Sequence, residues 1–504
     1  MNRVTRVAVV LVSLCAALSG LPVATSALDA RPGLTGAVPQ ADLTQTRTID
    51  GENYWQPNGV LISGAGGVLG TPAITTDGAA GAILAWSDCQ EATGCDVFAQ
   101  RISAAGQVQW AANGVALSHA PGDQVDPLIV SDGAGGALVA WTDDRSGADA
   151  AVFAQHVTMA GSVLWASGGL TVTAGVGDRV LGALVADGAG GAFVLWEQAR
   201  ANDAVDTDLF AQRLAGDGAW YWSTPVTVTA AAGEQYGPQA AADGSGGVIV
   251  TWGDLRQPSA PNVYAQRITA NGVALWATDG VPVSVDSGRQ SPPARLAADG
   301  AGGAWVVWQD FRLHAPRSDV YMQRLSATGQ REWDDDRAIV ADPNLDAAAT
   351  ALLSDGSGGV IVLAKTTSGV TLDADVLAQR VGSNGQPLWG TTPLNLTPWS
   401  GRQLDAVGVA DGLGGAYVAW TDLGSDIDVW AQHLGADGSL WWAGHGVAVA
   451  TSTGDQKNLA AVSDGQFGLI VGWQDNRNDP DSFDLYAQRV GDHTYRQALP
   501  LIRF

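Results

Sequence analysis

The side chains of this 504-residue chain that could do covalent or metal chemistry are few and dispersed. His119, His156, His314, His433, His445 and His493 fall on separate segments, with no pair at metal-ligand spacing. Neither a nucleophile elbow nor a phosphate-binding glycine loop occurs. Cys89 and Cys95 stand with five residues between them and no further ligand type close by, so they suit a loop disulfide better than a metal or redox site. The acidic segments 143–149, 202–208 and 475–481 cluster oxygens. Asp475, Asp479 and Asp481 are the candidate Ca²⁺ ligands, with plain solvated surface as the other reading. Gln124, Gln235, Gln290, Gln403 and Gln456 each follow a glycine by two residues. They suit hydrogen bonds to a sugar or peptide, or equally the satisfaction of strand ends and ordered water. No catalytic set assembles, and no cofactor other than Ca²⁺ is expected.

Whatever positions these residues is repetitive. The pair Asp-Gly recurs at Asp77, Asp132, Asp187, Asp243, Asp299, Asp355, Asp411 and Asp464, at intervals of 53 to 56 residues. In residues 128–172 an alternating run leads to the turn Asp132-Gly-Ala-Gly-Gly136, and Ala137-Leu-Val-Ala-Trp141 follows. After a polar loop come Val152-Phe-Ala-Gln-His-Val157, a turn at Gly161, and Val163-Leu-Trp165 with Leu170-Thr-Val172. Short β-rich runs between glycine turns, without helical period, make four antiparallel strands per repeat, A to D. The fold class is all-β, an eight-bladed β-propeller.

Spacing within the repeat separates rigid from variable parts. Nine residues run from each Asp to the strand-B tryptophan, with Ala364 in that slot in the sixth copy. Four run from each C–D turn glycine to the strand-D tryptophan, as in Gly161 and Trp165, whereas the B–C loop varies in length. The eighth copy ends at strand C, Asp484 to Val490, and Tyr54 to Ile62 ahead of the first copy reads as strand D. This N-terminal strand therefore completes the last blade and closes the ring, removing open sheet edges. The propeller is expected over 54–490, with a linker at 28–53 and a tail at 491–504.

The recurring segment Ala-Gln-Arg-x-x-x-x-Gly-x-x-x-Trp, at Ala99 to Trp110 and Ala265 to Trp276, resembles the tryptophan-docking repeat of quinoprotein-like eight-bladed propellers. The chain is also similar to uncharacterised secreted bacterial proteins built from Asp-Gly-x-Gly-Gly repeats. In quinoprotein dehydrogenases the pattern implies a quinone over the central channel, often backed by adjacent cysteines. This chain has no adjacent cysteines, and its Ala-to-Trp spacing is one residue longer. The residues themselves read as structure. Two tryptophans per blade fill the gaps between blades. The glutamines of Ala-Gln-Arg satisfy backbone groups, and Arg101, Arg213, Arg267, Arg324, Arg380 and Arg489 pair with acids, with His156 and His433 in the same slot. In Trp-x-Asp-x-Arg, at Asp143/Arg145, Asp254/Arg256, Asp310/Arg312 and Asp475/Arg477, the Asp is expected to accept turn N–H groups and the Arg to lie on the neighbouring blade.

Residues 1–27 read as a secretory signal: Arg3 and Arg6, an apolar run, then Ala24-Thr25-Ser26-Ala27. A secreted protein, extracellular or periplasmic, is expected. The net charge of −25 disfavours nucleic acid and anionic membranes, and no later segment is long enough to insert in a bilayer. The function read from these features is non-enzymatic binding or scaffolding by a monomer. Variable loops on one face would take a protein, peptide or glycan. The alternative is a channel-site enzyme, a quinoprotein dehydrogenase, lyase or glycosidase, marked by one blade with anomalous polar residues at the channel mouth. Mass spectrometry of the unreduced secreted protein is expected to show the Cys89–Cys95 bond and no free thiol; two alkylatable thiols would contradict it.

Overall fold

The computed structural model describes residues 51–492, apart from 65–66, 91–93, 174–176, 201–202, 258–260, 287, 369–372 and 443. The expected signal, most of the linker and His493 lie outside the described residues. Among those described, every regular element is a β-strand, and there is no helix long and apolar enough to cross a membrane.

The strands form eight antiparallel four-stranded units in chain order. Blade 2 is typical: A is Gln124–Ser131, B is Ala137–Asp143, C is Ala151–Val157 and D is Leu170–Thr171. Strand A of each blade touches strand A of the next, and the eighth, Gln456–Ser463, touches the first, Ala73–Thr76, so the inner strands make a closed ring. Val60–Ser63 is strand D of blade 8, pairing Val60 with Ala487. The pairing runs further than the expected boundaries. Gly51–Asn53 ladders onto Val490 to Asp492, so the sheet takes in the end of the presumed linker and the start of the presumed tail.

Asp492 ties blade 8 to blade 7. Its Oδ1 accepts the Trp442 indole N–H at 2.7 Å, and its Oδ2 accepts the Tyr417 hydroxyl at 2.9 Å. His433 bridges Asp492 and Asp411, and the Tyr54 hydroxyl donates to the Asp492 carbonyl. Burial works against the His433 imidazolium, but the two carboxylates outweigh it and raise its pKa.

The core is not inside blades but between them. Eight buried apolar clusters fill the eight gaps. One joins Val130, Leu138 and Ala140 of blade 2 to Leu181, Leu184 and Trp196 of blade 3. Another joins Ile470 and Leu485 of blade 8 to Leu84 and Trp86 of blade 1. The strand-B tryptophans are wholly buried there.

Strand D is split at its tryptophan into the two pieces that the sequence offers, Val163 to Trp165 and Leu170 to Val172. Val163 makes one bridge to Val157, then the chain leaves the ladder until Leu170. The glutamine of strand C replaces the missing ladder: Gln155 Oε1 accepts the Trp165 N–H and its Nε2 donates to the Ala166 carbonyl, both at 2.9 Å. The Ala-Gln-Arg cations pair as expected, and their partner is the Asp of the same blade's A–B turn. Arg101 meets Asp77, Arg489 meets Asp464, and His156 and His433 meet Asp132 and Asp411. The other oxygen of that Asp caps the turn, as Asp77 Oδ1 does for Ala79 and Gly81 N–H.

Asp492→Asn is expected to destabilise the protein by about 3 kcal/mol, the scale for breaking a buried ion pair. Because the folded pKa of His433 is raised, its contribution is present at low pH and is lost as pH rises through that folded value. Urea denaturation across this range should show the loss in the parent and a flatter curve in the variant.

Candidate functional site

The structure places the five candidate glutamines behind the mouth of the channel, wholly buried. Gln124 Nε2 donates to the Gly122 carbonyl at 3.0 Å, and Gln456 Nε2 to that of Gly454 at 2.7 Å. Gln235 donates to Gly233, Gln290 Oε1 accepts the Val263 N–H, and Gln403 donates to Asp422. Gln124, Gln235 and Gln456 thus hold the loop that enters strand A, while Gln290 bonds to strand C of blade 4 and Gln403 to the end of strand B of its own blade.

The candidate Ca²⁺ ligands are divided. Asp475 is buried, with Oδ2 accepting the Trp473 indole N–H at 2.8 Å and Oδ1 accepting the Arg477 Nε–H at 2.8 Å. Asp479 Oδ1 caps the N–H of Asp481. Among the described residues no group of three or more His, Cys, Asp or Glu is gathered for a metal. The Arg of Trp-x-Asp-x-Arg, expected on the neighbouring blade, grips mainly its own and touches the one before: Arg145 donates to Ser118 Oγ of blade 1 at 3.4 Å and Arg312 to Ser284 Oγ, at the end of blade 4, at 3.1 Å. Arg145 grips Asp143, lies 3.7 Å over Phe153 and donates to the Gly168 carbonyl. Folding back is favoured because the Asp, the ring and the carbonyl all lie within reach of one planar fork. Cys89 and Cys95 face each other across the blade 1 hairpin and are bonded.

Other loop acids clasp blade to blade. Asp178 Oδ1 accepts the Ala150 N–H at 3.0 Å, and Asp149 Oδ2 accepts the Gly177 N–H in return. Asp123 and Asp455 do the same for Cys95 and Ile427.

Departures from symmetry gather at the channel mouth, where strand A begins and strand B ends. Strand A carries a β-bulge near its start in most blades, with left-handed residues at Asp126, Gly237, Asp405 and Asn458. Bulges re-aim side chains. Asp126 is solvent-exposed, yet the surrounding protein raises its pKa by desolvation.

The residue after each strand-B tryptophan shares this region. The eight are Ser87, Thr142, Glu197, Gly253, Gln309, Lys365, Thr421 and Gln474. Thr142 Oγ1 accepts the Leu181 N–H of the next blade, and Glu197 Oε1 accepts that of Gly237 at 2.7 Å. Burial pushes the Glu197 carboxyl up to about 7, restrained by the Gly237 N–H and helped by Glu234. Tyr236 pairs with Gly253, whose missing side chain makes room: a Cβ there would sit 2.8 Å from the phenol ring. Burial, then Glu234, pushes the phenol up to about 12, while Arg289 draws it back.

Across the ring, Asp405 of blade 7 faces Lys365 of blade 6 and Lys457 of blade 8. These are the only lysines in the chain. Burial raises the Asp405 pKa and the two lysines oppose the rise. Glu197, Tyr236, Lys365, Asp405 and Lys457 were all missed from sequence. Aligning the slot after the strand-B tryptophan would have found Glu197 and Lys365. The bulge residues give no such signal, because a bulge is not visible in a strand pattern.

No family model and no curated protein matches the chain. Among solved structures it is similar to the polysaccharide lyase Uly1 at 10% identity, covering 90% of this chain and 95% of that one, with a TM-score of 0.48. A PL25 ulvan lyase matches at 12% identity over 88% of this chain and 100% of its own, at 0.45. The β-propeller domain of the trilobed protease from Pyrococcus furiosus matches at 8% over 76% and 98%, at 0.41. Likenesses this distant extend to no activity.

Because the folded pKa of Glu197 is raised, the native state holds an extra proton between pH 4.5 and about 7, and stability falls as pH rises across that window. Glu197→Gln should remove this part of the slope, on the order of 3 kcal/mol. Urea denaturation of both proteins through the window is the measurement; parallel curves would place the Glu197 carboxyl at its ordinary pKa.

Proposed function

We propose that this chain is a secreted binding propeller whose ligand enters the channel mouth on the face carrying the B–C and D–A loops. The observation that carries the reading is the single slot occupied by eight residues of differing size and charge, from Gly253 to Lys365, while both hairpins of each blade keep their spacing. Folding explains the constant positions. It accounts for part of the variation, since Gly253 makes room for Tyr236 and Glu197 takes the Gly237 N–H; the remainder, with Lys365 beside Asp405, suits a binding surface, where a rigid scaffold varies. The disulfide is compatible with an oxidising, extracellular setting.

A second reading is favoured by one observation. Glu197, with a carboxyl near neutrality, shares a wall with the Tyr236 phenol and the exposed Arg289, a combination suited to moving a proton. The three come from blades 3, 4 and 5, so the polar departure is shared between neighbouring blades and not confined to the single blade expected of an enzyme.

A glycan and peptide array, with and without Ca²⁺, supplies the ligand. Asp126→Asn, Glu197→Gln, Tyr236→Phe and Asp405→Asn then test the mouth. At least one should weaken binding tenfold or more at unchanged melting temperature. If none does, the mouth is not the binding site. Turnover in lyase, glycosidase or redox-dye screens, lost in Glu197→Gln or Tyr236→Phe, would establish the second reading instead.

A further inference from the structure

Blade 7 differs from four of the other blades on the loop face. In blades 2, 4, 5 and 8 the arginine four residues past the strand-B tryptophan covers the aromatic ring of strand C. Arg145 lies 3.7 Å from Phe153, Arg256 3.8 Å from Tyr264, Arg312 4.4 Å from Tyr321 and Arg477 3.9 Å from Tyr486. Blade 7 has Gly424 in the arginine slot and Trp430 in the ring slot. Two other rings arrive instead. His445, exposed, stacks on Trp399 with centroids 4.1 Å apart and planes at 13°, and meets Trp430 edge-on.

The platform is fixed at the expense of the usual bond. In those four blades the Asp two residues past the strand-B tryptophan accepts that tryptophan's indole N–H. In blade 7, Asp422 Oδ2 accepts the Trp399 indole N–H at 3.1 Å, and buried Trp420 Nε1 has no partner among the described residues. A buried donor left unpaired destabilises the fold; the strand-B tryptophan of blade 1, Trp86, leaves its Nε1 unpaired as well.

The same aspartate connects the platform to the mouth. Asp422 Oδ1 receives the Gln403 amide at 3.1 Å, and Gln403 leads to Asp405 two residues along strand A, roughly 7 Å at the strand rise. There Lys365 and Lys457 flank Asp405, and the Lys457 ammonium is held 3.9 Å over the Phe483 ring. Arg402, exposed, stands at the head of the strand. The Asp422–Gln403 link thus joins an aromatic platform to the part of strand A where two lysines flank one carboxylate.

We propose that the top of blade 7 is a subsite for a saccharide carrying a carboxylate or sulfate. The C–H face of the pyranose packs on the exposed side of the Trp399–His445 stack, and the anionic group points toward Lys365 and Lys457. This rests on the mouth being the binding site. The chain's net charge of −25 does not oppose it, because charges more than about 8–10 Å away are screened at physiological salt. A nucleic acid, whose many phosphates would spread over the acidic face, is disfavoured by the same arithmetic. An acidic peptide lacks the flat apolar face that the ring stack fits.

The test is calorimetric titration of the full-length secreted protein with four probes: a hexauronate, its neutral methyl ester, a sulfated neutral hexasaccharide and a poly-glutamate peptide. The hexauronate or the sulfated sugar should bind, and which of them does identifies the anion. The methyl ester should bind at least tenfold more weakly. His445→Ala, at an exposed position, should lower affinity tenfold or more, as should the Lys365→Met/Lys457→Met pair, which should also flatten the salt dependence. Trp399→Phe, which keeps the stack without the indole N–H, should retain most of the affinity. Binding of poly-glutamate alone, or of no anionic saccharide, overturns the proposal. So does saccharide binding indifferent to His445→Ala and to the lysine pair; if that binding is still lost in Glu197→Gln, the mouth survives as a site and only this subsite falls.

Discussion

The fold depends on one contact repeated around the ring, the strand-D tryptophan seated on the C–D turn of the next blade. Trp110 donates its indole N–H to the Met159 carbonyl, Trp222 and Trp389 do so to Ala270 and Ala436, and Trp55 does so to Ala104 across the closure. The turn glycine is the floor of the seat. A Cβ on Gly161 would lie 2.7 Å from the Trp110 ring, and one on Gly106 would lie 2.6 Å from Trp55. Arg213, Arg380 and Arg489 reach the same carbonyls as the seated indole. The constant interval from glycine to tryptophan therefore spans two contacts: each turn receives one indole and sends out the next.

That seat decides which residues are free for anything else. The Asp of the A–B turn caps its own hairpin and anchors the strand-C arginine; the glutamine beside that arginine bridges the break in strand D. At the other face Asp143 and its counterparts hold an indole and a guanidinium together, and Asp178 and Asp149 exchange backbone hydrogen bonds between blades. Most of the chain's conspicuous polar residues are spent on joining strand to strand and blade to blade. Side chains left over are found where a repeat position changes identity, at the inner end of strand B and in the strand-A bulges.

The architecture was legible because it is written in spacing. Eight Asp-Gly turns, the glycine-to-tryptophan interval and the displaced strand at Trp55 each follow from backbone geometry that recurs, and recurrence is visible without coordinates. Direction was less legible. Nothing in Trp-x-Asp-x-Arg says whether the guanidinium reaches across to a neighbour or folds back, and the nearness of Phe153 and the Gly168 carbonyl decides it. The glutamines at the loop ends stayed ambiguous for a related reason: a polar residue at a strand start satisfies a loop as readily as a ligand, and only burial separates the two. Asp492 was invisible because it lies past the end of the last repeat, where the pattern offers no counterpart to compare.

The same division accounts for the charge. A net of −25 reads as a uniformly acidic surface, but many of the acids are hydrogen-bond acceptors for turns and inter-blade N–H groups. Such a carboxylate is neutralised locally by dipoles, or by an arginine as in Asp77 with Arg101. The arginines are largely consumed in those pairs. Lysine has no place in the repeat, since a point charge on a flexible stem cannot replace a planar fork that grips Asp while lying on a ring. Both lysines of the chain stand beside Asp405 at the channel mouth, Lys365 in the repeat slot whose occupant varies most.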